Sequence, residues 1–91
     1  MNQPMFASNI NNLTSTNDIT TDDAYLHGFY VNSTSSGTVV FREGGSSGTV
    51  LNGTITPAVG WHWFPKYCKG GVHVTIGGTL NASFFFSTIG S

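Results

Sequence analysis

His27, His62, His73 and Cys68 are the only conventional soft or borderline metal ligands in the 91 residues. None of them is spaced as a zinc site requires, since C-x2-C and H-x3-H pairs are both missing. They read as strand residues that face solvent or hydrogen-bond locally, so no metal and no cofactor is expected. The carboxylates are as few: Asp18, Asp22, Asp23 and Glu43. Glycoside hydrolysis needs two carboxyl groups held about 5–10 Å apart. Asp22 and Asp23 are adjacent, and neighbours on a strand point to opposite faces. They read as turn residues, and no nucleophile elbow surrounds any serine. The chain is not expected to be an enzyme.

The residues with most binding potential are aromatic. Trp61, Trp63, Phe64 and Tyr67 fall within seven positions, with His62 and Lys66 among them. On a strand Trp61 and Trp63 share one face and His62 and Phe64 the other. Tryptophan and tyrosine anchor protein interfaces, and their rings also stack on sugars. The competing role for the tryptophans is to fill the core. Phe85, flanked by inward Phe84 and Phe86, should face outward, which suggests burial on both sides or an interface. With Met5, Phe6 and Ile10 from the amino-terminal segment, Trp61, Trp63, Tyr67 and Phe85 are the interface candidates.

These side chains must be carried by strands. Asp23–Asn32, Gly37–Glu43, Gly48–Thr56 and Gly71–Phe86 alternate apolar with polar residues, and Gly, Ser, Thr and Asn fill the gaps. Tyr25, His27, Phe29 and Val31 should share one face. Ser33–Ser36 and Gly44–Ser47 read as turns, Pro57 ends the third segment, and Pro65 stops the strand that holds the tryptophans. Lys66–Gly71 reads as a loop and Gly77-Gly78 as a tight turn. Leu80, Ala82, Phe84 and Phe86 then form an inward face. Ser35-Ser36-Gly37-Thr38-Val39 recurs as Ser46-Ser47-Gly48-Thr49-Val50, an echo too short for a solenoid. No segment has a capped 3.6-residue apolar period, so no substantial helix is expected. The pattern predicts an all-β fold: a single antiparallel two-sheet β-sandwich, Ig-like or jelly-roll-like, over residues 19–91. Residues 1–18 read as an extended N-terminal arm, with one strand near Asn12–Ile19.

Composition narrows the partners. Only 8% of residues are charged and the net charge is −1, which leaves no basic stripe to follow phosphates. No apolar run approaches the roughly 18–20 residues that span a bilayer. Neither nucleic acid nor membrane is an expected partner. The first residues, Met1-Asn2-Gln3-Pro4-Met5-Phe6, lack a basic n-region and an apolar h-region, so synthesis in the cytoplasm is expected. Asn-x-Ser/Thr triplets begin at Asn12, Asn32, Asn52 and Asn81, and read as composition in a chain so rich in these residues. A single cysteine rules out an internal disulfide. A domain this small has little core of its own, so oligomerisation or docking on a larger body is the expected supplement.

The runs Ala24-Tyr25-Leu26-His27-Gly28-Phe29-Tyr30-Val31-Asn32 and Gly37-Thr38-Val39-Val40-Phe41-Arg42-Glu43-Gly44 resemble small β-sandwich virion proteins of tailed bacteriophages. So do Ile55-Thr56-Pro57-Ala58-Val59-Gly60-Trp61-His62-Trp63-Phe64-Pro65 and Gly70-Gly71-Val72-His73-Val74-Thr75-Ile76-Gly77-Gly78-Thr79. The resemblance covers about residues 22–87. It implies a capsid decoration (cement) protein, made in the host cytoplasm and carried on the capsid surface of the virion. Its partner would be the major capsid protein, and it would form a small cyclic homo-oligomer, with a trimer favoured. An extended arm would add a strand to a neighbour. The alternative is a tail or fibre module that binds a receptor or carbohydrate through an aromatic platform of Trp61, Trp63 and Tyr67.

Overall fold

The computed structural model describes residues 7–88, which fold entirely as strands and connections. Six strands run in chain order: β1 (Asn9–Leu13), β2 (Asn17–Thr20), β3 (Ala24–Glu43), β4 (Thr49–Val50), β5 (Gly60–Cys68) and β6 (Val72–Thr88). They form one hydrogen-bonded sheet, antiparallel throughout. β3 and β6 pair along their whole length, from Ala24↔Thr88 to Glu43↔Val72. β1 and β2 add to the far side of β6, while β5 and β4 add to the far side of β3.

This ladder is too long to be straight. Phe29 and Phe41 are twelve residues apart, or about 40 Å along a flat strand, yet their ring centroids are 5.5 Å apart. The sheet therefore folds back on itself. The bend lies at Ser33–Gly37 of β3 opposite Gly77–Asn81 of β6, which takes in the turns expected at Ser33–Ser36 and Gly77-Gly78. Both strands pass through without breaking. Ser35 and Ser36 both face Thr79, so one residue is extra on β3. Ser36 takes a φ of 57°, and Gly78, next to the Thr79 it faces, takes 65°. Such bulges bend and twist the strand that carries them.

The fold-back encloses the core. Leu26, Phe29 and Val31 from the first half of β3 meet Val39 and Phe41 from the second, with Val72, Val74, Leu80, Ala82, Phe84 and Phe86 from β6 and Ile19 from β2. Phe41 is the hub, in ring contact with Phe29, Phe64 and Phe84. The inward face of Leu80, Ala82, Phe84 and Phe86 is as the alternation indicates.

Four local expectations change. A register shift between Leu26 and Gly28 makes His27 the bulged residue on β3. The inward set moves from Ala24 and Leu26 before it to Phe29 and Val31 after it, so Tyr25 faces outward while Leu26 is core. The arm expected over residues 1–18 is instead paired where it is described, because Asn9–Leu13 and Asn17–Thr20 complete the ladder of β6. The third segment, Gly48–Thr56, keeps only Thr49–Val50 as a strand, plus one bridge between Val39 and Ile55. Between them the side chain of Asn52 replaces main chain: its Oδ1 accepts from Phe41 N (2.8 Å) and its Nδ2 donates to Val39 O (3.4 Å). Finally, β5 runs through Pro65 to Cys68. Proline is tolerated there because β5 is an edge strand and Pro65 lies at the register shift, where no ladder donor is needed.

Candidate functional site

The outward face of the half built from β1, β6, β3 and β5 carries two cross-strand rows. One runs Ile10–Phe85–Gly28–Trp63 and the next Asn12–Ser83–Tyr30–Trp61, each residue directly opposite its neighbour. Directly opposed residues project to the same side of a sheet, so four of the interface candidates, Ile10, Trp61, Trp63 and Phe85, come together here. Trp63 is 71% exposed and Tyr30 43%. Tyr67 lies further along β5, exposed and 5.4 Å from the ring of Tyr25. Met5 and Phe6 lie outside the described residues.

The rings are ordered by a glycine. At Gly28 a Cβ would sit 2.9 Å from the indole of Trp61 and against the carbonyl oxygen of His62. The bare backbone therefore lets Trp61 lie across β3. Its ring meets Phe85 edge-on at 5.1 Å and Trp63 edge-on at 5.0 Å, a favoured geometry for aromatic pairs. The indole N–H of Trp61 is buried there and has no hydrogen-bond acceptor among the described residues.

Next to the rings lies a patch of amides. Asn12 Nδ2 donates to Asn81 Oδ1 (2.8 Å) and Ser83 Oγ (3.1 Å), and Asn32 Nδ2 donates to the same two atoms at 3.2 Å. Three of the four asparagines in Asn-x-Ser/Thr triplets thus meet around Ser83. The triplets were the available signal, but one-dimensional spacing does not show that positions 12, 32 and 81 share a face.

No charged residue belongs to these rows or to the amide patch. The charges gather at the end of the molecule where β3 begins and ends and β5 turns into β6. Asp23 Oδ1 accepts from Gly70 N (2.6 Å) and Glu43 Oε2 from Lys69 N (2.8 Å), so both carboxylates tie down the β5–β6 turn. Asp18 pairs with His73 across β2 and β6 (2.8 Å). The phenol of Tyr67, near this end, is held above its ordinary value by desolvation first, then by the negative fields of Asp23, Tyr25 and Glu43.

The ring nitrogens and the thiol are dispersed. His27 Nε2 is 3.1 Å from Ser87 Oγ, His62 Nε2 is 2.7 Å from Ala58 O, and His62 stacks on Phe29. Among the described residues no three metal-ligating side chains converge. Cys68 is fully buried. Burial pushes its thiol up to about 11, against a smaller lowering by Lys66 and a raising by Glu43. The native state therefore keeps its proton between pH 9 and 11 while the unfolded chain gives it up. This contribution to stability is complete below pH 9 and is lost as pH rises toward 11, on the order of 2 kcal/mol. Urea melts at pH 8 and pH 10.5 should show that loss in the native protein and a much smaller one in Cys68→Ala.

These features define an all-β antiparallel protein with an uncharged aromatic and amide surface and a separate charged end. Comparison of the chain with protein-family models, curated proteins and solved structures finds no match.

Proposed function

We propose that the protein is a non-enzymatic structural component of a tailed-phage virion, a decoration protein that sits on the major capsid protein and stabilises the head. The observation that carries this reading is the large aromatic surface turned outward from a folded-back, charge-poor sheet. An isolated subunit in water has no use for an indole exposed as far as that of Trp63, whereas a binding protein does. The phage attribution rests on the resemblance of residues 22–87 to such virion proteins. The two-layered sandwich of those proteins is in keeping with the fold-back that brings Phe29 onto Phe41.

The mechanism is passive. Each copy contributes a small contact, repeated across the joints between capsid subunits, and any ligand that binds only the assembled lattice stabilises it by mass action. A cyclic homo-oligomer, a trimer for preference, would multiply that contact by avidity.

The test is the copy number of this chain in purified particles, measured by quantitative mass spectrometry against the major capsid protein. A ratio near one, or a simple fraction such as one third, is the expected result. A handful of copies would place the chain on the tail or a fibre. Absence from particles would overturn the virion reading.

A further inference from the structure

We propose that the outward face of β1, β6, β3 and β5 is a binding site for an uncharged pyranose saccharide. Trp63 and Tyr30 form its stacking surface, and Asn12, Asn32, Asn81 and the indole N–H of Trp61 supply its polar contacts. This is the same Trp63 face that carries the decoration reading, here with a different occupant, so the experiment below is chosen to separate the two.

Three observations converge. Tyr30 lies directly opposite Ser83, which Asn12 flanks on its other side and around which Asn32 and Asn81 gather. Trp63 lies one row further along the same face, on the edge strand β5. A pyranose has the same two-sided character: C–H groups on its faces and hydroxyls at its rim. Apolar rings beside a few placed polar groups are how small-ligand sites fix orientation. An amide carries two donors and an acceptor with two lone pairs, so Asn12, Asn32 and Asn81 bind one another and retain capacity toward solvent.

The second observation is the absence of charge from both rows and from the amide patch. A basic face would select phosphates or acidic sugars, and an acidic one cations; this face selects neither. A hydrophobic protein partner would fit the rings but would bury the amide patch at a cost for every polar group left unmatched.

The third is the Trp61 N–H, buried with no acceptor. A buried donor without a partner costs about 1–3 kcal/mol. Trp63 meets the Trp61 ring edge-on and is 71% exposed, and binding requires that ring to swing aside for an oxygen of the ligand to reach the nitrogen. A saccharide hydroxyl would then relieve the penalty and be favoured over a purely apolar occupant.

The full chain should be titrated with gluco-, manno-, galacto- and N-acetylglucosamine oligosaccharides, with a sialylated oligosaccharide as the anionic control. Tryptophan fluorescence and the ¹H–¹⁵N signals of the indoles provide the readout. At least one neutral saccharide should bind saturably and move the Trp61 indole signal. Trp63→Ala should weaken binding at least tenfold and Asn32→Ala several-fold, both with unchanged melting curves. Failure of every neutral oligosaccharide to bind would overturn the proposal, as would wild-type affinity in Trp63→Ala or stronger binding of the sialylated control. If no saccharide binds while Trp63→Ala is lost from particles, the face is the capsid contact: the saccharide site falls and the decoration reading stands.

Discussion

Phe41→Ala should lower unfolding stability by about 3–5 kcal/mol, the usual cost of emptying a buried phenylalanine site. Three features place it at the upper end. Phe41 is fully buried. It touches Phe29, Phe64 and Phe84, each pair adding to what area burial contributes. It also joins the two halves of the folded sheet, so neither half can close the cavity without opening the bend. A domain of 91 residues has a total stability of roughly 5–13 kcal/mol, so a loss of about 5 kcal/mol removes at least a third of it. Urea melts followed by tryptophan fluorescence measure this directly. Val40→Ala, next along β3 on the half-exposed side, should cost under about 1 kcal/mol. Similar losses in the two variants would show that the core is not centred on Phe41.

Gly71→Ala should cost on the order of 3 kcal/mol, and Gly70→Ala markedly less. Both glycines have left-handed φ angles, 79° at Gly70 and 108° at Gly71, which L side chains rarely adopt. Their surroundings differ. A Cβ at Gly70 would find its nearest neighbour 3.8 Å away, at Gly44 Cα, which is ordinary contact. A Cβ at Gly71 would meet the carbonyl oxygen of Thr20 and lie 2.9 Å from Thr21 Cα. Those atoms are backbone and cannot rotate aside, so β2 must move off the end of β6. Hydrogen exchange should therefore show lost protection over Asn17–Thr20 in Gly71→Ala, with β1 little changed. Equal costs for the two substitutions would mean that strain at φ, and not the packing of β2, dominates the turn.

Much of the fold was legible in the sequence because alternation is a local signal. The inward row of Leu80, Ala82, Phe84 and Phe86 needed only a period of two, and the outward Phe85 followed from it. Helix was excluded on the same basis. What alternation cannot carry is an inserted residue. The bulge at His27 shifts the phase once, and every inward assignment before it inverts. Ser33–Ser36 and Gly77-Gly78 have the composition of turns, yet they lie in adjoining stretches of one ladder, Ser33–Ser36 paired with Thr79–Asn81 and Gly77 with Thr38, and bend it together. That pairing exists only once positions about forty or more apart are matched. Asn52 is a third case, since a side chain that substitutes for backbone ends a strand which its neighbours would otherwise continue. For the candidate site, the tryptophans were visible as a cluster on one strand. Their company with Ile10, Phe85 and the three asparagines depends on which strands lie side by side.

The pairing of β1 with the far end of β6 has a consequence for how the protein is made. Asn9 is matched to Phe86 and Ala24 to Thr88, and even the nearest partners on β3 and β6, Glu43 and Val72, enclose a long excursion. Contacts of such separation slow folding, because chain must be closed into loops before any of them can form. The first strand to leave the ribosome has no mate until the last has been translated. At about 5–20 residues per second, the nascent chain spends seconds with its edges and aromatic residues unpaired. Folding should be a single event that follows completion of β6, and truncation of β6 before Ala82 would leave β1 without any strand to join while β2 keeps its partners at Val72–Val74.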